Sequence, residues 1–144
     1  MREASTRHLR AGWSGLCVYV LLGAALELLH AIKSPVFVDA GRETARMLLR
    51  LAHAHGTLLA IVNILCGLTI QARPESERPL ASAALLASLV LLPLGFLLGG
   101  LFTQGSDPGL GVLLVPVGAL ALAVGTWLVA RSVGGPRHGQ DGTG

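Results

Sequence analysis

Four long apolar stretches, separated by short polar connections, follow one another along the chain. They cover residues 13–32, 45–70, 80–102 and 110–130. A helix needs about 20 apolar residues to cross the hydrocarbon core of a bilayer, and each stretch reaches that length. The pattern therefore predicts an all-α fold, an integral membrane four-helix bundle made of two helical hairpins.

The connections carry residues that end and begin helices. Asp39 precedes the second stretch as a candidate N-cap, and residues 103–109 combine glycine, aspartate and proline as turns do. We expect one transmembrane domain over residues 1–131 and a disordered, glycine-rich polar tail over residues 132–144. His8 and His138 fall in the polar ends and are expected to be exposed to solvent.

Composition agrees with a membrane location. Of the 144 residues, 52% are hydrophobic and 13% are charged, whereas a soluble domain carries about 25% charged residues. The basic residues are scattered and not interleaved with aromatic ones, so nucleic acid is not an expected partner. The expected partner is the lipid bilayer, and the expected location is the inner (plasma) membrane of a bacterium.

The distribution of lysine and arginine predicts that both termini are cytoplasmic, because basic residues accumulate on that side of a membrane. Seven arginines lie at the N-terminus, in the second connection and at the C-terminal end: Arg2, Arg7, Arg10, Arg73, Arg78, Arg131 and Arg137. Four basic residues lie on the opposite side: Lys33, Arg42, Arg46 and Arg50.

The third and fourth stretches contain no ionisable side chain and are rich in glycine. Gly95 and Gly99 form a GxxxG pattern, and Gly111, Gly118 and Gly125 recur every seven residues. Small residues at such spacing let helices approach closely in a membrane. These faces are candidates for contact within the chain, with a second copy of the chain, or within a larger membrane complex.

The first and second stretches contain ionisable residues, which are costly in hydrocarbon and usually mark a site. Glu27 and His30 project to one side of the first helix, and Arg50 and His53 share a stripe on the second. We expect these four side chains to cluster. Glu27, His30 and His53 are candidate ligands of a single transition-metal ion, since carboxylate and imidazole groups suit zinc or iron.

His55 lies about 200° around the helix from His53, so the two cannot bind one small ion. It shares an apolar face with Leu51, Leu59 and Val62, and Gly56 beside it leaves room. A histidine in such surroundings suits a haem iron.

The stretch His55–Gly56–Thr57–Leu58–Leu59–Ala60–Ile61–Val62 resembles the second transmembrane helix of the catalytic subunit of haem-copper oxidases and of the related nitric oxide reductases. In those proteins a histidine, often followed by glycine, ligates the low-spin haem. The resemblance implies that His55 is an axial ligand of haem b. This chain lacks the adjacent histidine pair of the copper site, so oxygen reduction is not implied. His30, a partner chain or a symmetry-related copy would supply a second ligand, and Arg50 would pair with a propionate or a carboxylate.

These features favour a small haem- or metal-binding redox or accessory subunit that is not an enzyme by itself. One alternative is a proton-coupled carrier or channel in which Glu27, His30 and His53 form the relay. Another is a purely structural membrane subunit without a cofactor. The sequence shows no nucleophile–base motif, P-loop or dinucleotide fingerprint.

Overall fold

The computed structural model describes residues 2–134, with the exception of the side chains of residues 2 and 36. Its four long helices are α1 (Arg2–Ala31), α3 (Glu43–Ala72), α4 (Pro79–Leu101) and α5 (Leu114–Val133), and α2 (Pro35–Val38) is a single turn. Short 3-10 turns at Ala40–Arg42, Pro74–Ser76 and Leu110–Leu113 join them. The predicted all-α class is confirmed, and all four long helices are long and apolar enough to cross a membrane.

Two boundaries differ from the prediction. Helix α1 begins at Arg2 and not at residue 13, because polar residues of its first turns have buried hydrogen-bond partners on other helices. The prediction that His8 is exposed is wrong: its exposed fraction is 0%. Helix α5 continues to Val133, past the expected start of the tail, and His138 lies outside the described residues.

Helix α3 lies at the centre of the fold and packs against both α1 and α4, while α5 packs mainly against α4. Within its most apolar window, α1 has 17% of its residues buried and α5 has 11%, against 39% for α3 and 44% for α4. The two outer helices therefore expose broad apolar faces.

The glycines of α4 and α5, the second hairpin, lie at the contact between these two helices of the same chain. A Cβ atom at Gly95 would lie 2.9 Å from Val115, and one at Gly118 would lie 2.7 Å from the backbone of Leu92. Gly125 faces Leu85 in the same way. The absence of side chains at these positions lets α4 and α5 pack closely.

A reciprocal exchange of large and small residues joins α1 to α3. The ring of His53 on α3 lies directly against Gly23 on α1, and the ring of Tyr19 on α1 lies directly against Gly56 on α3. Each glycine provides the space that the ring from the other helix fills. This exchange fixes the register of the two helices.

Asp39 caps the 3-10 turn Ala40–Arg42 and not, as predicted, α3 itself, because that turn precedes the helix; the N-cap residue of α3 is Arg42, without a side-chain hydrogen bond. The carboxylate of Asp39 accepts a hydrogen bond from the backbone N–H of Gly41 at 2.9 Å, at the start of the turn that leads into α3. Asp39 also lies 3.7 Å from Arg42, on the exposed surface.

We predict that Gly23→Ala and Gly56→Ala destabilise the fold by about 1–3 kcal/mol each, the range for overpacking a filled contact. A methyl group at either position would overlap the ring of His53 or Tyr19. The measurement is thermal unfolding in mild detergent. Gly15→Ala is the matched control on α1, since a Cβ there makes an ordinary 3.4 Å contact with Leu89; equal stability of all three variants would contradict the prediction.

Candidate functional site

A buried polar group lies where α1, α3 and α4 meet. We call it the His8 cluster: the buried side chains of His8, Asn63 and Ser82, with the exposed Arg7 at their edge. The exposed fraction is 0% for His8, 0% for Asn63 and 2% for Ser82. The Nδ1 atom of His8 lies 2.8 Å from Oδ1 of Asn63, and its Nε2 atom lies 2.7 Å from Oγ of Ser82.

The direction of each hydrogen bond in the His8 cluster follows from its neighbours. Asn63 Nδ2 donates to the carbonyl oxygens of Leu59 at 2.9 Å and Leu85 at 3.3 Å, so Asn63 Oδ1 faces His8. Because that oxygen only accepts, His8 Nδ1 donates to it. In the neutral imidazole, Nε2 then accepts from the Ser82 hydroxyl, whose oxygen accepts from Arg7 Nη2 at 2.9 Å.

Further hydrogen bonds attach α1 to the central helices. Ser5 Oγ donates to the carbonyl oxygen of Gly67 on α3 at 3.0 Å, and Tyr19 Oη donates to that of Leu89 on α4 at 2.9 Å. His53 Nδ1 donates to the carbonyl oxygen of Tyr19 at 2.7 Å. Among the described residues, Thr57 Oγ1 is the one buried side-chain oxygen or nitrogen without a partner.

His55 is half-buried on the flank of α3 that faces α4. Its Nδ1 atom donates to the carbonyl oxygen of Leu51, one turn earlier, at 2.9 Å. Its ring lies 4.9 Å from the ring of Phe96, measured between centroids. The predicted apolar surroundings of His55 are thus present, and they are formed in part by an aromatic side chain of α4.

His30 and Arg50 meet at a different place, around the buried ring of Phe37. The ring of His30 stacks on Phe37 with centroids 5.7 Å apart, and the guanidinium of Arg50 lies 5.9 Å above the same ring. Phe37 packs with Leu26 and Leu49 near the end of α1. Neither His30 nor Arg50 therefore accompanies His55.

The expected cluster of Glu27, His30, His53 and Arg50 is not formed. Glu27 lies about one turn before the end of α1, is exposed, and makes no ion pair in the part of the chain that the structure describes. His53 faces Gly23 and Tyr19. Residues 2–134 contain no group of three or more histidine, cysteine, aspartate or glutamate side chains placed to hold a metal ion.

The residues of the His8 cluster escaped the sequence analysis, because they come from three helices far apart in the chain. Asn63 gave the one local signal, since an amide in an otherwise apolar helix needs a partner. His8 gave none, because Arg7 and Arg10 beside it resemble a solvated helix end.

We predict that Asn63→Leu lowers the free energy of unfolding by about 1–3 kcal/mol, the cost of leaving a buried donor such as His8 Nδ1–H without an acceptor. Chemical or thermal unfolding of the full chain in detergent measures this loss. Thr69→Val is the control on the same helix, because the Thr69 hydroxyl donates to the carbonyl oxygen of Leu65, within its own helix. A loss in the control as large as in Asn63→Leu would contradict the assignment.

Comparisons with protein-family models, curated protein sequences and solved structures find no match for this chain. The chemistry of its own residues is what indicates its function. Two places stand out: the His8 cluster, in which imidazole, amide and hydroxyl groups are in contact, and the half-buried His55 beside Phe96.

Proposed function

We propose that this chain is an integral membrane protein whose four long helices span the bilayer. The support is the length and apolar composition of the helices, together with the exposed apolar faces of α1 and α5. Trp13 and Trp127 are also exposed, near the level where tryptophan side chains favour the membrane–water interface.

Both termini lie on the cytoplasmic side in this proposal. Arg73 Nη1 donates to the carbonyl oxygen of Val133 at 2.9 Å, and His8 contacts Ser82, so the start of α1, the connection before α4 and the end of α5 share one end of the molecule. That end carries Arg7, Arg10, Arg73, Arg78 and Arg131. The excess of arginine there favours the cytoplasmic side.

The function that we propose is a haem-binding membrane subunit, with His55 as an axial ligand. The observation that carries it is the hydrogen bond from His55 Nδ1 to the carbonyl oxygen of Leu51. Histidines that bind metals commonly donate their second ring nitrogen to a carbonyl or carboxylate, which fixes the ring and leaves the other nitrogen free. Nε2 of His55 has this free lone pair.

Of the three residues expected to hold haem, His55 fits its role and His30 and Arg50 do not. His55 suits haem as one ligand, in a half-buried apolar position against Phe96. His30 and Arg50 do not fit the roles of second ligand and propionate partner, because both contact Phe37. A partner chain or second copy would supply the other ligand. Bound haem would supply one-electron chemistry, and the part of this chain is to hold and orient the imidazole.

We predict that the full chain, purified in mild detergent and supplied with haem, shows a Soret band that shifts on reduction with dithionite. His55→Ala should abolish the band, because it removes the nitrogen ligand. The absorption spectrum between about 380 and 450 nm is the measurement for this haem signal.

His30→Ala is the matched control, since His30 is exposed and stacks on Phe37 instead of facing His55. It should keep the band. A colourless wild-type preparation, or a band that survives in His55→Ala, would overturn the proposed function. Loss of the band in both variants would overturn the assignment of His55 as the ligand from this chain.

A further inference from the structure

We propose that Ser82 is a nucleophile for acyl transfer and that His8 is its general base. The two atoms that such a reaction needs are in contact, with Ser82 Oγ 2.7 Å from His8 Nε2. The second ring nitrogen of His8 is held 2.8 Å from Asn63 Oδ1. A hydroxyl, an imidazole that can take its proton and a third group that orients the imidazole form the general pattern of an activated nucleophile.

Asn63 is the positioning residue of this arrangement. Its amide cannot rotate without losing the two hydrogen bonds to the carbonyl oxygens of Leu59 and Leu85. It therefore keeps the proton of His8 on Nδ1 and leaves Nε2 as the nitrogen that accepts the proton of Ser82.

Another serine of the same helix shows what is specific to Ser82. Ser88 is also buried, with an exposed fraction of 0%, but its hydroxyl donates to the carbonyl oxygen of Leu85 at 2.8 Å. That bond stays within α4 and involves no base. A buried serine of α4 can therefore satisfy its hydroxyl without a histidine, as Ser88 does. Ser82 differs from Ser88 because its hydroxyl has a histidine as hydrogen-bond partner.

Arg7 adds a positive charge to the same oxygen. Its Nη2 atom donates to Ser82 Oγ at 2.9 Å. When a hydroxyl attacks a carbonyl carbon, the negative charge develops on the carbonyl oxygen, so Arg7 would have to pass from Ser82 Oγ to that oxygen to stabilise the transition state. Arg7 is itself exposed, so its side chain connects the buried hydroxyl with the surface of the molecule.

The depth of Ser82 in the bilayer indicates the class of substrate. This inference rests on the proposal that the four long helices span the membrane. Helix α4 is about 34 Å long at 1.5 Å per residue, close to the thickness of the hydrocarbon core. Ser82 lies about one turn from its start at Pro79, near the cytoplasmic boundary of that core. Ester linkages of glycerolipids lie at this boundary, and the arginines of this end suit their phosphate groups. The substrate class is therefore a glycerolipid carboxylic ester.

A small space adjoins Ser82, and His8 is not one of the residues that line it. A cavity of about 10 Å³ is lined by Ser82, Ser76 and Arg78, among other residues. This volume accommodates about one water molecule. Because the exposed fraction of Ser82 is 2%, the side chain of Arg7 would have to move aside for an ester to reach its hydroxyl.

The reaction balances with water as the second substrate. Ser82 Oγ forms a bond to the ester carbonyl carbon while its proton passes to His8 Nε2, and the bond to the lipid alcohol breaks as that alcohol takes the proton. Water then attacks the acyl-serine, again giving a proton to His8, and the carboxylic acid leaves as Ser82 regains its proton.

The test is covalent labelling of the full chain in mild detergent with a fluorophosphonate probe, mapped by peptide mass spectrometry. We expect one adduct on Ser82 and none on Ser88. His8→Gln should slow labelling about a hundredfold or more, the usual contribution of a general base. Asn63→Asp, which keeps an oxygen towards His8, should label faster than Asn63→Leu.

Labelling of the wild-type protein tests the proposal even where a variant unfolds. An unmodified Ser82 in the folded wild-type chain would overturn the proposal, and so would equal labelling rates in wild type and a folded His8→Gln variant. Ser88→Ala is the control variant and should label at the wild-type rate.

The substrate class has a separate measurement. Release of fatty acid from phosphatidylglycerol vesicles by the reconstituted wild-type chain, lost in Ser82→Ala, is the expected result. A labelled Ser82 without any release from the vesicles would overturn the lipid ester as substrate. Neither result depends on the Soret band that tests the proposed function.

Discussion

The attachment of α1 to the rest of the protein depends on hydrogen bonds in apolar surroundings. This helix buries few of its residues, and in the membrane placement proposed above, lipid tails are as apolar as the helix faces that they would replace. Helices then associate through close packing and polar contacts and not through the hydrophobic effect. Ser5, His8, Tyr19 and the carbonyl of Tyr19 supply those contacts along α1. Each such bond contributes about 0.6 kcal/mol on average, so several are needed.

The glycines make these hydrogen bonds possible. His53 reaches the carbonyl of Tyr19 only because Gly23 leaves its space free, and Tyr19 reaches Leu89 across the position of Gly56. Packing and hydrogen bonding are thus coupled at the same level of the fold. His53, although ionisable, therefore has a structural role: its ring packs against Gly23 and bonds to the carbonyl of Tyr19, which holds α1 against α3.

The sequence was sufficient to predict the helices but not their register. Four apolar stretches of spanning length set the fold class, and the spacing of the glycines in α4 and α5 indicated a close contact. Helical geometry also separated His53 from His55 correctly, since they contact α1 and α4 respectively. The vertical offset between α1 and α3 could not be predicted, because it depends on the long-range fit of Tyr19 and His53 into glycines of the other helix.

That offset explains the error at the start of α1. It brings His8 level with Asn63 and Ser82, so a residue that seems solvated from its local sequence becomes fully buried. At the other end of α1, Glu27 lies about one turn before the helix ends. Its carboxylate is exposed, and it is not placed with His30 and His53 to hold a metal ion.

A histidine can bind an external group only at a ring nitrogen that does not already hold a hydrogen bond within the protein. Both ring nitrogens of His8 are paired, so a metal ligand there would have to displace Asn63 or Ser82 at the cost of a buried unpaired group. A proton, unlike a metal ion, would displace neither residue, because His8 would accept it from Ser82 along a hydrogen bond that already exists. Among the described residues, His55 has a partner at Nδ1, the carbonyl oxygen of Leu51, and none at Nε2, so a ligand at Nε2 costs no internal bond. The same side-chain type is therefore suited to proton transfer in one place and to metal ligation in the other.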